Sequence, residues 1–220
     1  AQEDAMDEFA KILDGSSEWH GRFFRFAATQ PSALANLAEL RGQMSFDDEV
    51  TDQTLLRNLV REDEVATAYS LYQRIADAGA SDAVGAWSND YPPFDWSLTD
   101  KAGLRAQPSL SGEELEISVK PGKGGVVARR LLRAPERPFS IIVKHSIDFP
   151  QALQDIDVLV KCVGQTGAIL EANLVRQGNG YRIDDLPSDC AFIEIAIAAR
   201  AWSGRSALNE NIEAIDVVQR

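Results

Sequence analysis

The spacing of hydrophobic residues changes near residue 87. Before it, apolar residues recur every three to four positions, as on one face of a helix. Beyond residue 100 they alternate with polar residues, as in half-buried strands. The stretch between contains Pro92-Pro93, which cannot continue a helix and favours extended backbone. We therefore predict an α+β protein with a helical segment over residues 1–86 and a β-domain over residues 87–220.

The helical segment is predicted to hold about five helices. The first helix covers residues 4–13, the second is capped by Ser16-Ser17, and the third has Pro31 in its first turn. The fourth begins at Thr51 or Asp52, and the fifth runs from Val65 to near Gly79. The last two are joined by a tight turn at residues 61–63 and form a helical hairpin.

The β-domain is predicted to hold nine short strands separated by glycine-rich and proline-rich turns. They lie near residues 103–108, 113–119, 125–132, 138–147, 156–163, 168–175, 180–185, 191–199 and 211–219. No helical pattern interrupts these runs, so a parallel sheet with crossover helices is not expected. The pattern is typical of an antiparallel β-sandwich of the jelly-roll type.

Two family resemblances follow from these segments. The hairpin sequence from Leu59 to Tyr72 resembles a degenerate tetratricopeptide repeat. The opening Pro-Phe-Asp-Trp-Ser-Leu at residues 93–98 and the closing Ile-Glu-Ala-Ile-Asp-Val-Val at 212–218 resemble galactose-binding-like, carbohydrate-binding-module jelly rolls. The likeness is to those that follow tetratricopeptide-type helices in bacterial envelope and exopolysaccharide proteins. It implies sugar binding or protein interaction without catalysis.

The chain departs from that family at its opening. Ser88-Asn89-Asp90-Tyr91 stands where many such modules have Asn-Gly-x-Phe-Glu, so the resemblance leaves open whether the structural calcium site of those modules exists here. We predict no cofactor and no metal site.

The net charge of −12 is concentrated in the helical segment. Residues 1–86 carry 16 acidic and 7 basic residues, against 18 and 15 in residues 87–220. This disfavours nucleic acid and anionic membranes as partners, because both require a basic face. No run of apolar residues is long enough to span a membrane, and the first residues lack the apolar core of a signal peptide.

Sugar recognition needs flat aromatic faces with planar hydrogen-bonding groups beside them. The aromatic candidates are Trp202, which reads as a loop residue before the last strand, and Trp87 and Tyr91 in the junction. Arg200, Arg205 and Asn209 flank Trp202 and can bond hydroxyl groups. For Trp96, core packing under the helical segment is favoured over sugar binding. For Trp202, packing in the core or in an interface is also favoured over sugar binding.

Other candidate groups leave alternatives open. Cys162 and Cys190 either form one disulfide or remain two buried thiols. His145 is expected to be a satisfied residue on a half-buried face. A basic ridge of Arg129, Arg130 and Arg133 could bind an acidic glycan, form a solvated edge or dock the acidic helices. A glycosidase would need two carboxylates across a cleft, and Asp184, Asp185 and Asp189 cannot be placed there from sequence.

The sequence favours a non-enzymatic protein of the periplasm or cell envelope that binds a polysaccharide or another envelope component. One alternative is a protein–protein adapter in which the sandwich extends the helical scaffold. Another is a carbohydrate-active hydrolase. Burial of Trp87, Trp96 and Trp202 together would favour the adapter over sugar binding.

Overall fold

The computed structural model describes residues 11–12, 19–44, 48–76, 87–165, 167–174 and 180–219. The chain divides into two compact units. The helical unit consists of residues 1–80 together with Asp90–Phe94, and the sandwich unit consists of residues 81–89 and 95–220.

The described part of the helical unit contains four α-helices and one short 3₁₀ helix. These are α1 (His20–Ala27), the 3₁₀ helix Pro31–Ala33, α2 (Leu34–Arg41), α3 (Glu49–Arg61) and α4 (Val65–Ile75). The predicted helical segment is confirmed. Of the first predicted helix, only residues 11–12 are described, and both are helical. Ser16 and Ser17, the predicted caps, lie outside the described residues.

The prediction that the fourth helix begins at Thr51 or Asp52 is wrong, because Asp48 caps α3 from an earlier position. The Asp48 carboxylate accepts hydrogen bonds from the Thr51 backbone N–H at 3.2 Å and the Thr51 hydroxyl at 2.8 Å. The helix therefore begins at Glu49. Helices α3 and α4 pack against each other, as the hairpin prediction requires, and α4 ends at Ile75.

The helical unit has an apolar core and one buried ion pair. Leu55, Leu56 and Leu59 of α3 are fully buried. The Arg41 guanidinium contacts both carboxylate oxygens of Asp52 at 2.7 Å, and both side chains are buried. This bidentate pair joins the end of α2 to the first turn of α3.

The sandwich unit contains eleven strands and one short helix among its described residues. They are β1 (Ser97–Leu98), β2 (Asp100–Lys101), β3 (Leu104–Pro108), β4 (Leu115–Val119), β5 (Lys123–Arg133), β6 (Phe139–His145), α5 (Pro150–Asp155), β7 (Ile156–Cys162), β8 (Ala168–Asn173), β9 (Gly180–Ile183), β10 (Phe192–Ala201) and β11 (Leu208–Gln219). All nine predicted strands are present. The two-residue strands and α5 were not predicted, because segments this short show no clear periodicity.

The strands form two antiparallel sheets. One has the order β1-β5-β10-β7-β8 and the other β2-β3-β4-β11-β6-β9. From β4 to β7, consecutive strands alternate between the sheets, as in a jelly roll. Helix α5 lies between β6 and β7, which belong to different sheets, so it creates no parallel crossover. The predicted antiparallel sandwich is confirmed.

Alternate residues of the two sheets point inward and form one continuous core. Ile193, Ile195 and Ile197 of β10 are fully buried, as are Ile141 and Val143 of β6. The alternation that predicted the strands is therefore the alternation between core and solvent.

Candidate functional site

Trp202 lies on the loop between β10 and β11, where the sandwich leaves its side chain 51% exposed. The Arg205 N–H donates to the Trp202 carbonyl at 3.1 Å, and Gly204 takes a φ of +83° in the turn between them. Glycine adopts this backbone conformation without steric cost. The turn is therefore tight, and it presents the indole at the surface.

A buried carboxylate fixes the edge of the indole. Asp155, the last residue of α5, accepts a hydrogen bond from the Trp202 Nε1–H at 2.8 Å and one from the Gln151 Nε2–H at 3.3 Å. The Arg205 guanidinium lies 3.8 Å from the same carboxylate. A bond from a neutral donor to a charged acceptor is stronger than one between neutral groups. The indole of Trp202 is thus held in one orientation although half of it is exposed.

Arg200 lies against the same ring. Its guanidinium carbon is 5.2 Å from the centre of the Trp202 ring, within the range of a cation–π contact. Its Nη2 is 3.3 Å from a carboxylate oxygen of Asp157 on β7. Arg200 is therefore held by a ring and a carboxylate. Within the part of the chain that the structure describes, its other guanidinium N–H groups make no hydrogen bond and can reach a ligand.

These side chains border an open groove with a volume of about 290 Å³. The groove brings together four residues that the sequence proposed as ligand-binding, namely Trp202, Arg200, Arg205 and Asn209. Phe149, just before α5, adds a second aromatic side chain that is 73% exposed. Sequence reasoning missed Phe149, although an aromatic residue directly before a proline in a predicted connection is itself a loop signal.

The lining of the groove also contains the carboxyl group of Glu210. Burial raises the pKa of Glu210 on β11, and the nearby His145 partly opposes this increase. His145 is buried, as expected, and its Nδ1 accepts the Ile147 N–H at 3.3 Å. The side-chain carboxyl group of Glu210 accepts no hydrogen bond from the described residues. It therefore adds a polar group of reduced acidity to the lining of the groove.

The structure does not bring Trp87 or Tyr91 to this groove. Trp87 is 3% exposed, packs 4.8 Å from the ring of Trp96, and donates its Nε1–H to the Glu213 carbonyl at 3.1 Å. It is a core residue and cannot stack on a ligand, contrary to our expectation. Tyr91 belongs to the helical unit, where its ring contacts Tyr72 at 6.4 Å. Trp96 is fully buried, as favoured from sequence.

The remaining candidates form no second site among the described residues. Arg130 is buried, so a ridge of three exposed arginines does not exist. Asp184 and Asp185 are exposed and lie outside the groove.

No group of three or more His, Cys, Asp or Glu side chains suited to a metal occurs in the described ranges. No helix in the described part of the chain is long and apolar enough to cross a bilayer.

Cys162 and Cys190 form a disulfide in this structure, with their Cα atoms 5.6 Å apart. Cys162 is the last residue of β7, and Cys190 lies just before the neighbouring strand β10. The bridge therefore joins two adjacent strands at one end of their sheet.

No protein-family model matches the chain, and no curated protein matches it. A solved structure of the carbohydrate-binding module TmCBM61 in complex with β-1,4-galactotriose resembles the chain at a TM-score of 0.33 and 12% identity. The alignment covers 62% of this chain and 92% of that one. The antiparallel sandwich agrees with the module resemblance predicted from sequence, but a likeness of this size carries no argument about ligand or activity. The tetratricopeptide resemblance of the helices stays a prediction.

Proposed function

We propose that the sandwich unit binds a carbohydrate in the groove beside Trp202. The observation that carries this proposal is a half-exposed indole whose orientation is fixed by the buried Asp155. An aromatic ring has a large apolar face, and the C–H groups on one side of a sugar ring match such a face. A side chain that is already ordered loses little further conformational entropy when it binds.

Polar groups around the ring supply the complementary chemistry. Arg200, Arg205 and Asn209 carry planar groups beside the indole, and Phe149 offers a further apolar surface. Sugar hydroxyls both donate and accept hydrogen bonds, so they can pair with guanidinium and amide groups. A mostly apolar cleft with a few polar groups is the usual form of a small-ligand site.

The groove favours binding over hydrolysis. A glycosidase requires two carboxyl groups that flank the scissile bond. Of the carboxyl groups in this groove, Asp155 is engaged by the Trp202 and Gln151 side chains, with Arg205 nearby. In the lining of the groove, Glu210 therefore has no second available carboxyl group with which to form a catalytic pair. We therefore propose a non-enzymatic role, and release of reducing ends from any bound glycan would contradict it.

The disulfide supports a location outside the cytoplasm. Disulfides persist in oxidising compartments such as the periplasm and are rare in the reducing cytosol. We include in the proposal that the protein acts in the periplasm or cell envelope, where a polysaccharide or another envelope component is its partner.

A glycan array tests the proposal with a matched pair of variants. Trp202→Ala should weaken binding at least about tenfold, because truncating a central aromatic contact commonly costs 2 kcal/mol or more. Trp19→Ala is the control, since Trp19 is 43% exposed but lies in the helical unit. Binding that survives Trp202→Ala, or a wild-type protein that binds no glycan, would refute the proposal.

A protein–protein adapter is the second candidate, and one surface favours it. On α1 and the residue before it, Trp19, Phe23 and Phe26 lie on one side of the helix, at steps of four and three residues. Phe26 is 68% exposed, and the Trp19 and Phe23 rings are in edge contact at 5.8 Å. Exposed aromatic groups of this kind mark protein interaction sites. An envelope protein captured by the wild type and by Trp202→Ala, but not by Trp19→Ala/Phe26→Ala, would favour this function.

A further inference from the structure

A second depression adjoins the Trp202 groove on the outer face of the sandwich. It has a volume of about 340 Å³ and lies across three neighbouring strands, β3, β4 and β11. Asn209 and Glu210 line both this depression and the groove, so the two are adjacent. From the adjacency and chemistry of this surface, we propose that it is a polar extension of the carbohydrate site. It would take the hydroxyl groups of further units of a neutral oligosaccharide chain. This inference rests on the proposed function.

The outer face carries two rows of polar side chains in exact cross-strand register. One row is Gln107, Glu116 and Asn211, and the other is Arg105, Ser118 and Asn209. The residues between them, such as Ala106 and Ile117, point into the core. Neighbouring strands lie about 4.8 Å apart, so each row crosses roughly 10 Å of surface. The rows present planar polar groups over this width and no aromatic ring.

Hydrogen bonds within the face hold these groups in place. The Gln107 amide donates to Glu116 at 2.8 Å, and the Asn211 amide donates to Glu114 at 2.8 Å. The Ser118 hydroxyl donates to the Asn209 carbonyl oxygen, also at 2.8 Å. Each side chain is thus ordered by a neighbour before any ligand arrives, which lowers the entropic cost of binding.

The same side chains keep unused hydrogen-bonding atoms. Among the described residues, the Oε1 of Gln107 and the Oδ1 of Asn211 accept no hydrogen bond, and the Nδ2 of Asn209 donates none. The Nε of Arg105 lies 3.6 Å from the Asp100 carboxylate, and its terminal guanidinium nitrogens donate no hydrogen bond within the described ranges. Donors and acceptors therefore lie within one small area. Vicinal hydroxyls fit this arrangement, since each can donate and accept at once.

The charge of the depression favours a neutral chain. Its outward-facing charged residues are Arg105 and Glu116, and the Glu114 carboxylate lies beside them, bonded to Asn211. An acidic glycan would be repelled by these two carboxylates. A neutral glycan experiences no such repulsion.

Ladders of neutral oligosaccharides of increasing length on a glycan array test the extension. The wild type should bind long members more tightly than short ones. Gln107→Ala/Asn211→Ala should weaken long-chain binding about tenfold, because it removes two hydrogen-bonding groups. Short members, which occupy only the Trp202 groove, should bind as before. The control is Gln219→Ala, an exposed amide at the far end of β11.

The outcomes separate the two proposals. A length-dependent gain that the double variant removes, in a protein with an unchanged melting temperature, supports the extension. Affinity that is independent of length, or a double variant with wild-type binding to long members, overturns the extension and leaves the Trp202 site standing. A wild type that binds no ladder overturns both.

Discussion

Removal of the disulfide should destabilise the sandwich unit by a calculable amount. The bond joins residues separated by 28 positions, Cys162 and Cys190. The intervening chain contains β8 and β9, which are edge strands of the two different sheets. The disulfide restricts this segment in the unfolded wild type. In the unfolded Cys162→Ala/Cys190→Ala variant the segment is unrestricted, so it has a higher conformational entropy.

The chain-entropy relation sets the magnitude. A closed loop of about 28 residues loses roughly 12 cal/mol/K, which corresponds to about 3.6 kcal/mol at 25 °C. A unit of about 130 residues has an unfolding entropy near 0.27 kcal/mol/K, so the melting temperature should fall by roughly 10–15 °C. Both values scale with the logarithm of loop length, so a small change in loop boundaries does not alter them.

Urea unfolding followed by tryptophan fluorescence is a suitable assay. Trp87 and Trp96 are buried in the sandwich core, so their emission reports on that unit. The control is the wild type unfolded with reductant present, which should have the same midpoint as the double variant. Thiol titration of the denatured wild type without reductant should find no free thiol.

Two results would refute this reasoning. Two titratable thiols in the denatured wild type would show that the bridge does not form. A stability difference below about 1 kcal/mol would show that the bridge forms but does not restrict the unfolded chain as the entropy model requires. The first result would also remove the support for an oxidising compartment.

Three further predictions concern single side chains. Asp155→Ala removes the acceptor of the Trp202 indole, so urea unfolding should show a loss of about 1–2 kcal/mol and glycan binding should weaken. Asp52→Ala leaves Arg41 buried without its carboxylate, so the helical unit should lose about 3–5 kcal/mol, measured by circular dichroism in urea. Glu210→Gln should stabilise the protein at neutral pH. Burial raises the pKa of Glu210, so its contribution to stability is fully present below the ordinary glutamate pKa of about 4.3 and is lost as pH rises through the raised value. The stability advantage of the glutamine variant should therefore vanish in acid. An equal advantage at neutral and at acidic pH would show that the pKa of Glu210 is not raised.

Much of the candidate site was visible in the sequence, but its geometry was not. Arg200, Trp202 and Arg205 are neighbours in the chain, and a loop there exposes them together. Asp155, which fixes the indole, lies 47 positions earlier. It ends a six-residue helix that is too short to produce a periodic signal, and so neither it nor Phe149 was predicted.

Hydrophobic spacing alone determined that this chain is helical first and an antiparallel sandwich afterwards, because each residue's burial is set by a local period that differs between helix and strand. It could not decide which tryptophan is exposed. Trp87 and Trp202 both lie outside the strands, and the same side chain suits a core or a binding surface. Only the tertiary structure placed Trp87 against Trp96 and Trp202 beside Asp155, since these contacts join segments whose separation along the chain leaves no periodic trace.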